Sequence, residues 1–214
     1  MKNKLCIKTV IITTIISIAF SINLKTKAFS DFSNNIQINT EKYYLEEVHY
    51  ENFNIKAKRI KTDESNSLGY CLEIDKSYPH GEKFSKMDTV AKGIENIILS
   101  GYPNKSPKEL GVDSEEQAYF ATQIAIWSLM EGYNVNKFRG NNPKIITAIK
   151  NIYNEGMLEK HESNKYKYYL YYANDNVQQV VVAVEDTESQ GVKSIQDIKK
   201  EENIVLPDNI IIGK

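Results

Sequence analysis

Cys71 and Gln123 are the residues of this chain whose types and placement point to covalent chemistry. The chain has two cysteines, and the first lies in a segment that reads as a secretory signal. Lys2, Lys4 and Lys8 lead an apolar run over residues 10–22, and Thr26-Lys27-Ala28 offers small residues at the −3 and −1 positions of a cleavage site. The apolar run is about a dozen residues, short for a bilayer span, and no cysteine stands at the cleavage point to take a lipid. Cleavage after Ala28 removes Cys6 and leaves Cys71 as a lone thiol in an exported chain. Exported proteins hold cysteines in pairs because their compartment is oxidising. An odd thiol there implies a partner in another chain or a reactive group held for use. The alternative is a buried cysteine acting as a small hydrophobe.

The second residue is a glutamine on an apolar helix face. Residues 115–131 carry Tyr119, Gln123, Ile126, Trp127 and Met130. At about 100° per residue, Gln123 falls roughly 40° from Tyr119, between Met130 and Trp127. A buried carboxamide left without partners costs about 1–3 kcal/mol per group. Either Gln123 is satisfied by nearby backbone, or its carbonyl carbon serves as an electrophile. A thiolate pressed against that carbon could displace ammonia and leave an internal Cys–Gln thioester.

The elements that must position this pair follow from periodicity. Residues 29–41 are polar and read as a loose lead-in. Residues 43–60 read as strands, with Phe53, Ile55 and Ala57 alternating against polar neighbours. Residues 62–69 have turn chemistry, and residues 70–74 resume the strand period, placing Cys71 near a strand start after a flexible Gly69. Asp88 can cap a helix running to about residue 99, with Val90, Ile94, Ile97 and Ile98 as its apolar side and Gly101 at its end. Ser114 with Gln117 makes a capping box for the Gln123 helix, which Gly132 ends. Asn142-Pro143 starts a third helix with Ile145, Ile146, Ile149 and Ile152 as its stripe. Residues 166–172 and 177–184 read as a hairpin around Asn174-Asp175-Asn176, residues 186–202 are charged and poorly patterned, and residues 204–212 could add a last strand. Strands, then helices, then strands predict an α+β fold, an antiparallel sheet or sandwich-like lobe with an inserted helical lobe.

Tyr70-Cys71-Leu72 and Thr122-Gln123-Ile124-Ala125-Ile126-Trp127 resemble the paired motifs of bacterial thioester domains, found at the tips of Gram-positive surface adhesins. Gly101-Tyr102-Pro103, Leu110-Gly111, residues 116–127 and Gln179 before Val180-Val181-Val182 are similar to that family as well. The resemblance implies a thioester between Cys71 and Gln123 and covalent capture of a lysine amine on a host-surface or matrix protein. It implies no catalytic turnover, so the chain is not expected to be an enzyme. Trp127 reads as packing that walls off the bond; Tyr70, Tyr119, Thr122 and Ile126 are the further residues expected to shield it. The expected organisation is a signal peptide over 1–28, a lead-in over 29–41, a thioester domain over 42–185 and a C-terminal segment over 186–214. No LPxTG-like motif or C-terminal apolar tail appears, so a secreted or surface location is expected without a sortase signal.

Composition narrows the rivals. After cleavage 186 residues remain, with 22 basic against 28 acidic side chains, which argues against nucleic acid or an anionic membrane surface as partner. One thiol and three scattered histidines give no metal-ligand spacing, and no Gly-rich phosphate loop appears, so no cofactor is expected. A cysteine hydrolase or transglutaminase-like enzyme would need a base for Cys71, and His80 in Ser77-Tyr78-Pro79-His80-Gly81 is the candidate. His49 and His161 read as surface residues. A non-covalent binding module with an inert Cys71 is the third reading.

Overall fold

The computed structural model describes residues 32–65, 67–87, 89–158 and 165–186. The chain divides into two units, Met1–Ser33 and Asn34–Lys214, and the fold below belongs to the second. The signal segment, Asp88, His161 and residues 187–214, including the anticipated last strand, lie outside the described residues.

Seven strands form one antiparallel sheet: β1 (Asn35–Tyr50), β2 (Phe53–Thr62), β3 (Ser67–Cys71), β4 (Glu82–Lys86), β5 (Phe138–Arg139), β6 (Tyr166–Tyr172) and β7 (Val180–Glu185). Their order is β2-β3-β7-β6-β4-β1-β5, and β2 also pairs with β1, so six strands close into a circuit with β5 added at the far end of β1. The long β1 reaches several neighbours because its register against β2 shifts on either side of Tyr44. Its first four residues pair with β4 and its last two with β5.

Residues 35–41, expected to be part of a loose lead-in, are the start of β1. Ile36 and Ile38 are buried between outward-facing Asn35, Gln37 and Asn39, an alternation that the polar composition obscures. Gly69 and Cys71 also differ from expectation. Cys71 ends β3 rather than starting a strand, and Gly69 lies inside β3, not in a flexible turn. A Cβ at Gly69 would stand 2.6 Å from Ile60 Cγ2 and 3.1 Å from Val180 Cγ1, so the glycine is there for close approach.

The helices lie between β4 and β6 in sequence, as the α+β pattern predicts: α1 (Lys92–Ser100), α2 (Pro107–Leu110), α3 (Glu115–Glu131) and α4 (Pro143–Gly156). Ala91, not Asp88, is the N-cap of α1, and it supplies no side-chain bond. Ser114 caps α3 by accepting from the Gln117 N–H, while the Gln117 carboxamide accepts from Asp113, one residue short of a reciprocal box. Gly132 closes α3 at φ 68°. Asn142 accepts from Lys144 N–H to start α4, with Pro143 in the first turn.

Residues 118–128 of α3 are all buried, enclosed by β1, β2, α1 and α4. No polar face exists in this stretch, so the single apolar stripe expected for it is replaced by burial on every side, and Met130 lies outside it, 43% exposed. Its Thr and Ser hydroxyls bond within the helix. Thr122 donates to the Ala118 carbonyl and Ser128 to the Ile124 carbonyl.

Candidate functional site

The site lies where β2 and β3 part. They pair at Ile60 and Gly69, and beyond that point the backbone groups that would continue the ladder are met by side chains of α3. The Tyr119 hydroxyl accepts from Ile60 N–H at 3.2 Å and donates to the Gly69 carbonyl at 2.8 Å, bridging the two strands. One helical turn on, Gln123 does the same for Cys71. Its Oε1 accepts from Cys71 N–H at 2.9 Å and its Nε2 donates to the Cys71 carbonyl at 2.7 Å. Residues at i and i+4 share a helix face, so the helix presents a phenol and a carboxamide to Gly69 and Cys71, alternate positions of β3. A buried carboxamide that loses both bonds is costly, which sets its register against Cys71.

Cys71 is wholly buried, and its other neighbour is Val180 of β7. Beyond it, Leu72 N–H donates to the Gln179 carbonyl, and Glu73 accepts from Gln179 N–H at 2.8 Å, which locks the chain as it leaves β3. Burial pushes the Cys71 thiol well above its ordinary range, and the charge of Glu73 adds to the effect. The sulfur is therefore held as a neutral thiol. Burial likewise raises Tyr70 and Tyr119, which keeps both phenols protonated.

Aromatic and polar packing encloses the pair. Tyr70 and Tyr119 stack at 4.7 Å between centroids and 15° between planes. The Tyr70 hydroxyl donates to the Tyr102 carbonyl at 2.6 Å, and Tyr102 N–H donates to Thr122 Oγ1 at 3.0 Å. Gly101 lets that loop close on the helix, since a Cβ there would stand 2.5 Å from Thr122 Oγ1. Ile126 and Trp127, at i+3 and i+4 from Gln123, are buried as well. Tyr70, Tyr119 and Thr122 are thus linked beside the pair by a ring stack and hydrogen bonds, and Ile126 and Trp127 extend the same helix face.

His80 is not brought to the pair. It is exposed, its backbone N–H donates to the Glu82 carboxylate at 2.6 Å, and among the described residues no hydrogen bond joins its ring to Cys71 or Gln123. His49 is exposed and its Nδ1 lies 2.7 Å from Asn54 Oδ1. The nearby residue that sequence reasoning passed over is Tyr78, two positions before His80. Its hydroxyl accepts from Lys58 N–H and donates to the Lys56 carbonyl, each at 3.4 Å, along the edge of β2 that faces the gap. Nothing local marks it, because the gap exists only once β2 and β3 are set side by side. Among the described residues no group of His, Cys, Asp and Glu could hold a metal ion, and no helix is long and apolar enough to cross a membrane.

This geometry can be set beside known proteins. Residues 68–157 match the family model described as the thioester domain. No curated protein is significantly similar in sequence. Among solved structures, the fold is similar to the Bacillus anthracis TIE protein at TM-score 0.53 and 20% identity, covering 71% of this chain and 39% of that one. It is similar to the thioester domain of the Enterococcus faecium TIE86 protein at TM-score 0.51 and 15% identity, covering 72% of this chain and 78% of that one. It also matches the N-terminal domain of the Streptococcus pyogenes pilus tip adhesin Cpa at TM-score 0.52 and 16% identity, over 73% of this chain and 96% of that one. The chain thus spans well under half of the B. anthracis protein and nearly all of the S. pyogenes domain. The matched segment runs from β3 through α4 and so holds both Cys71 and Gln123, and it is over these residues that the chain matches the thioester domain family.

Proposed function

We propose that Cys71 and Gln123 form an internal thioester, and that the exported domain uses it to bind a lysine amine on a host-surface or matrix protein covalently and once. The observation that carries this reading is the buried carboxamide of Gln123, bonded through both its groups to the backbone of Cys71. In forming the bond, Cys71 Sγ attacks Gln123 Cδ, the C–N bond breaks, and ammonia leaves with the thiol proton. Cys71 N–H already donates to Oε1, so the charge developing on that oxygen meets a positioned donor. Proximity of well-oriented groups takes the place of a separate catalyst.

Capture reverses the roles. An amine nitrogen attacks Cδ, the C–S bond breaks, and the amine proton passes to the sulfur, leaving an isopeptide bond at Gln123 and a free Cys71 thiol. A thiol whose proton is strongly held suits this final state. The carboxamide is not regenerated, so the domain acts once and does not turn over. Enclosure by Tyr70, Tyr119, Thr122, Ile126 and Trp127 keeps water from spending the bond. The signal-like segment over residues 1–28 supports export, and likeness to an adhesin domain supports action at a surface. A cysteine-hydrolase reading lacks a positioned base, because the His80 ring is exposed and makes no hydrogen bond to Cys71 among the described residues.

Intact mass spectrometry tests the proposal. The purified domain is expected to weigh one ammonia less than its sequence and to resist alkylation under native conditions. Cys71→Ala and Gln123→Ala are each expected to show the full sequence mass. A wild-type protein of full mass with an alkylatable Cys71, and no sign of a one-water hydrolysis product, overturns it.

A further inference from the structure

Where β2 and β3 part, Tyr78 and Gln123 meet the two facing backbone edges, and beside Tyr78 an ammonium group lies over two tyrosine rings. The antiparallel pair Ile60–Gly69, continued by two residues, sets Lys58 level with Cys71. The Tyr78 hydroxyl, bonded to the Lys58 and Lys56 backbone, therefore stands across the gap from the Gln123 carboxamide, which is bonded to the Cys71 backbone. The Lys58 side chain turns outward over the rings: Nζ lies 4.8 Å from the Tyr44 centroid and 5.8 Å from that of Tyr78. Tyr44 is 54% exposed, and Tyr78 is half-buried with its hydroxyl in the gap, so the two rings join the surface to the interior. Among the described residues Lys58 makes no ion pair, in contrast to Lys56 and Lys61 on the same strand, which meet Glu47 and Glu41. The rings are what hold its ammonium.

We propose that Tyr44 and Tyr78 form the docking site for the ammonium end of an incoming lysine side chain, at the outer end of the gap that leads to Gln123, and that Lys58 covers this site until a target lysine displaces it. Aromatic faces attract an ammonium through the ring quadrupole, and Lys58 shows that an alkylammonium fits here. A target lysine in its place lays its aliphatic stem along the two rings and points its nitrogen into the gap. Lys58 itself is tethered to β2 and cannot advance with its backbone paired to Tyr44 of β1. The inference rests on the thioester reading, since it concerns how the amine reaches that bond.

The test compares two amine probes on wild type, Tyr44→Leu and Lys58→Met, following adduct mass with time. Nα-acetyl-lysine carries a charged ammonium at neutral pH, whereas hydroxylamine is largely uncharged and has nothing for the rings to read. Tyr44→Leu is expected to slow the acetyl-lysine adduct and Lys58→Met to speed it, each by roughly two- to fivefold, the size of a cation–π contact at an exposed site. Hydroxylamine rates are expected to stay at the wild-type value in both. Unchanged acetyl-lysine rates in either variant, or hydroxylamine rates that change in parallel, overturn the docking assignment while leaving the thioester intact. A wild-type protein that has lost no ammonia and forms no adduct overturns both. Melting temperatures near wild type confirm that exposed Tyr44 and half-buried Lys58 were replaced without unfolding.

Discussion

Gln123 meets Cys71 as a neighbouring strand would, its carboxamide oxygen taking the Cys71 N–H at 2.9 Å and its nitrogen giving a proton to the Cys71 carbonyl at 2.7 Å. A side chain of α3 thus completes the edge of β3 at the position where β2 has turned away. The same contact sets the Gln123 carboxamide against the backbone of Cys71, the one free cysteine among the described residues.

The cross-link would close a loop between residues that stand 52 apart in sequence. By analogy with a disulfide over such a loop, Cys71→Ala is expected to cost about 2–4 kcal/mol while keeping the fold. Chemical denaturation of wild type and variant measures it. Equal midpoints would mean that the link is absent or that its strain cancels its benefit.

Tyr119→Phe removes the hydroxyl that bridges Ile60 N–H and the Gly69 carbonyl. Both are buried backbone groups, and leaving one unpaired costs about 1–3 kcal/mol. Stability is expected to fall by at least that order, and loss of ammonia from newly refolded protein to slow, because β3 is held less firmly against α3. A time course of intact mass after refolding reads the second effect.

Gln123→Ala leaves Cys71 as a free buried thiol, and its stability is expected to depend on pH. The folded thiol holds its proton more tightly than the unfolded one, whose value is 9.0. Unfolding therefore releases a proton once pH passes that value. The stabilising contribution is present below it and is lost as pH rises, at about 1.4 kcal/mol per unit until the folded value is reached. The Cys71→Ala, Gln123→Ala double variant supplies the baseline, since the buried tyrosines are common to both. Parallel curves between pH 8 and 10 would show that the thiol is not held as the geometry implies.

Only a neutral amine is a nucleophile, so adduct formation with methylamine is expected to rise about tenfold per pH unit up to the pKa of the amine. His80→Ala is expected to leave this slope unchanged, because the ring is exposed and unbonded to the pair. The adduct, not total thioester loss, is the quantity to follow, since hydrolysis also quickens with pH. A slope that steepens in His80→Ala would return the histidine to the mechanism as a base.

Much of this protein could be read from residue order alone. The caps at Ser114 and Asn142, the stop at Gly132 and the β-rich runs at either end are local signals, because turn and cap chemistry acts within a few residues. Cys71 and Gln123 stood out for a different reason: a thiol expected to be left alone once a signal-like segment is removed, and a carboxamide among apolar helix positions, are each out of place by type. Only the tertiary structure decided the rest. Closure of the sheet through β1 and β2, the parting of β2 from β3 beyond Gly69, and the filling of that gap by Tyr119, Gln123 and Tyr78 join residues far apart in sequence. No local pattern encodes them, because a backbone group announces its need for a partner only when the strand that would have supplied one turns away.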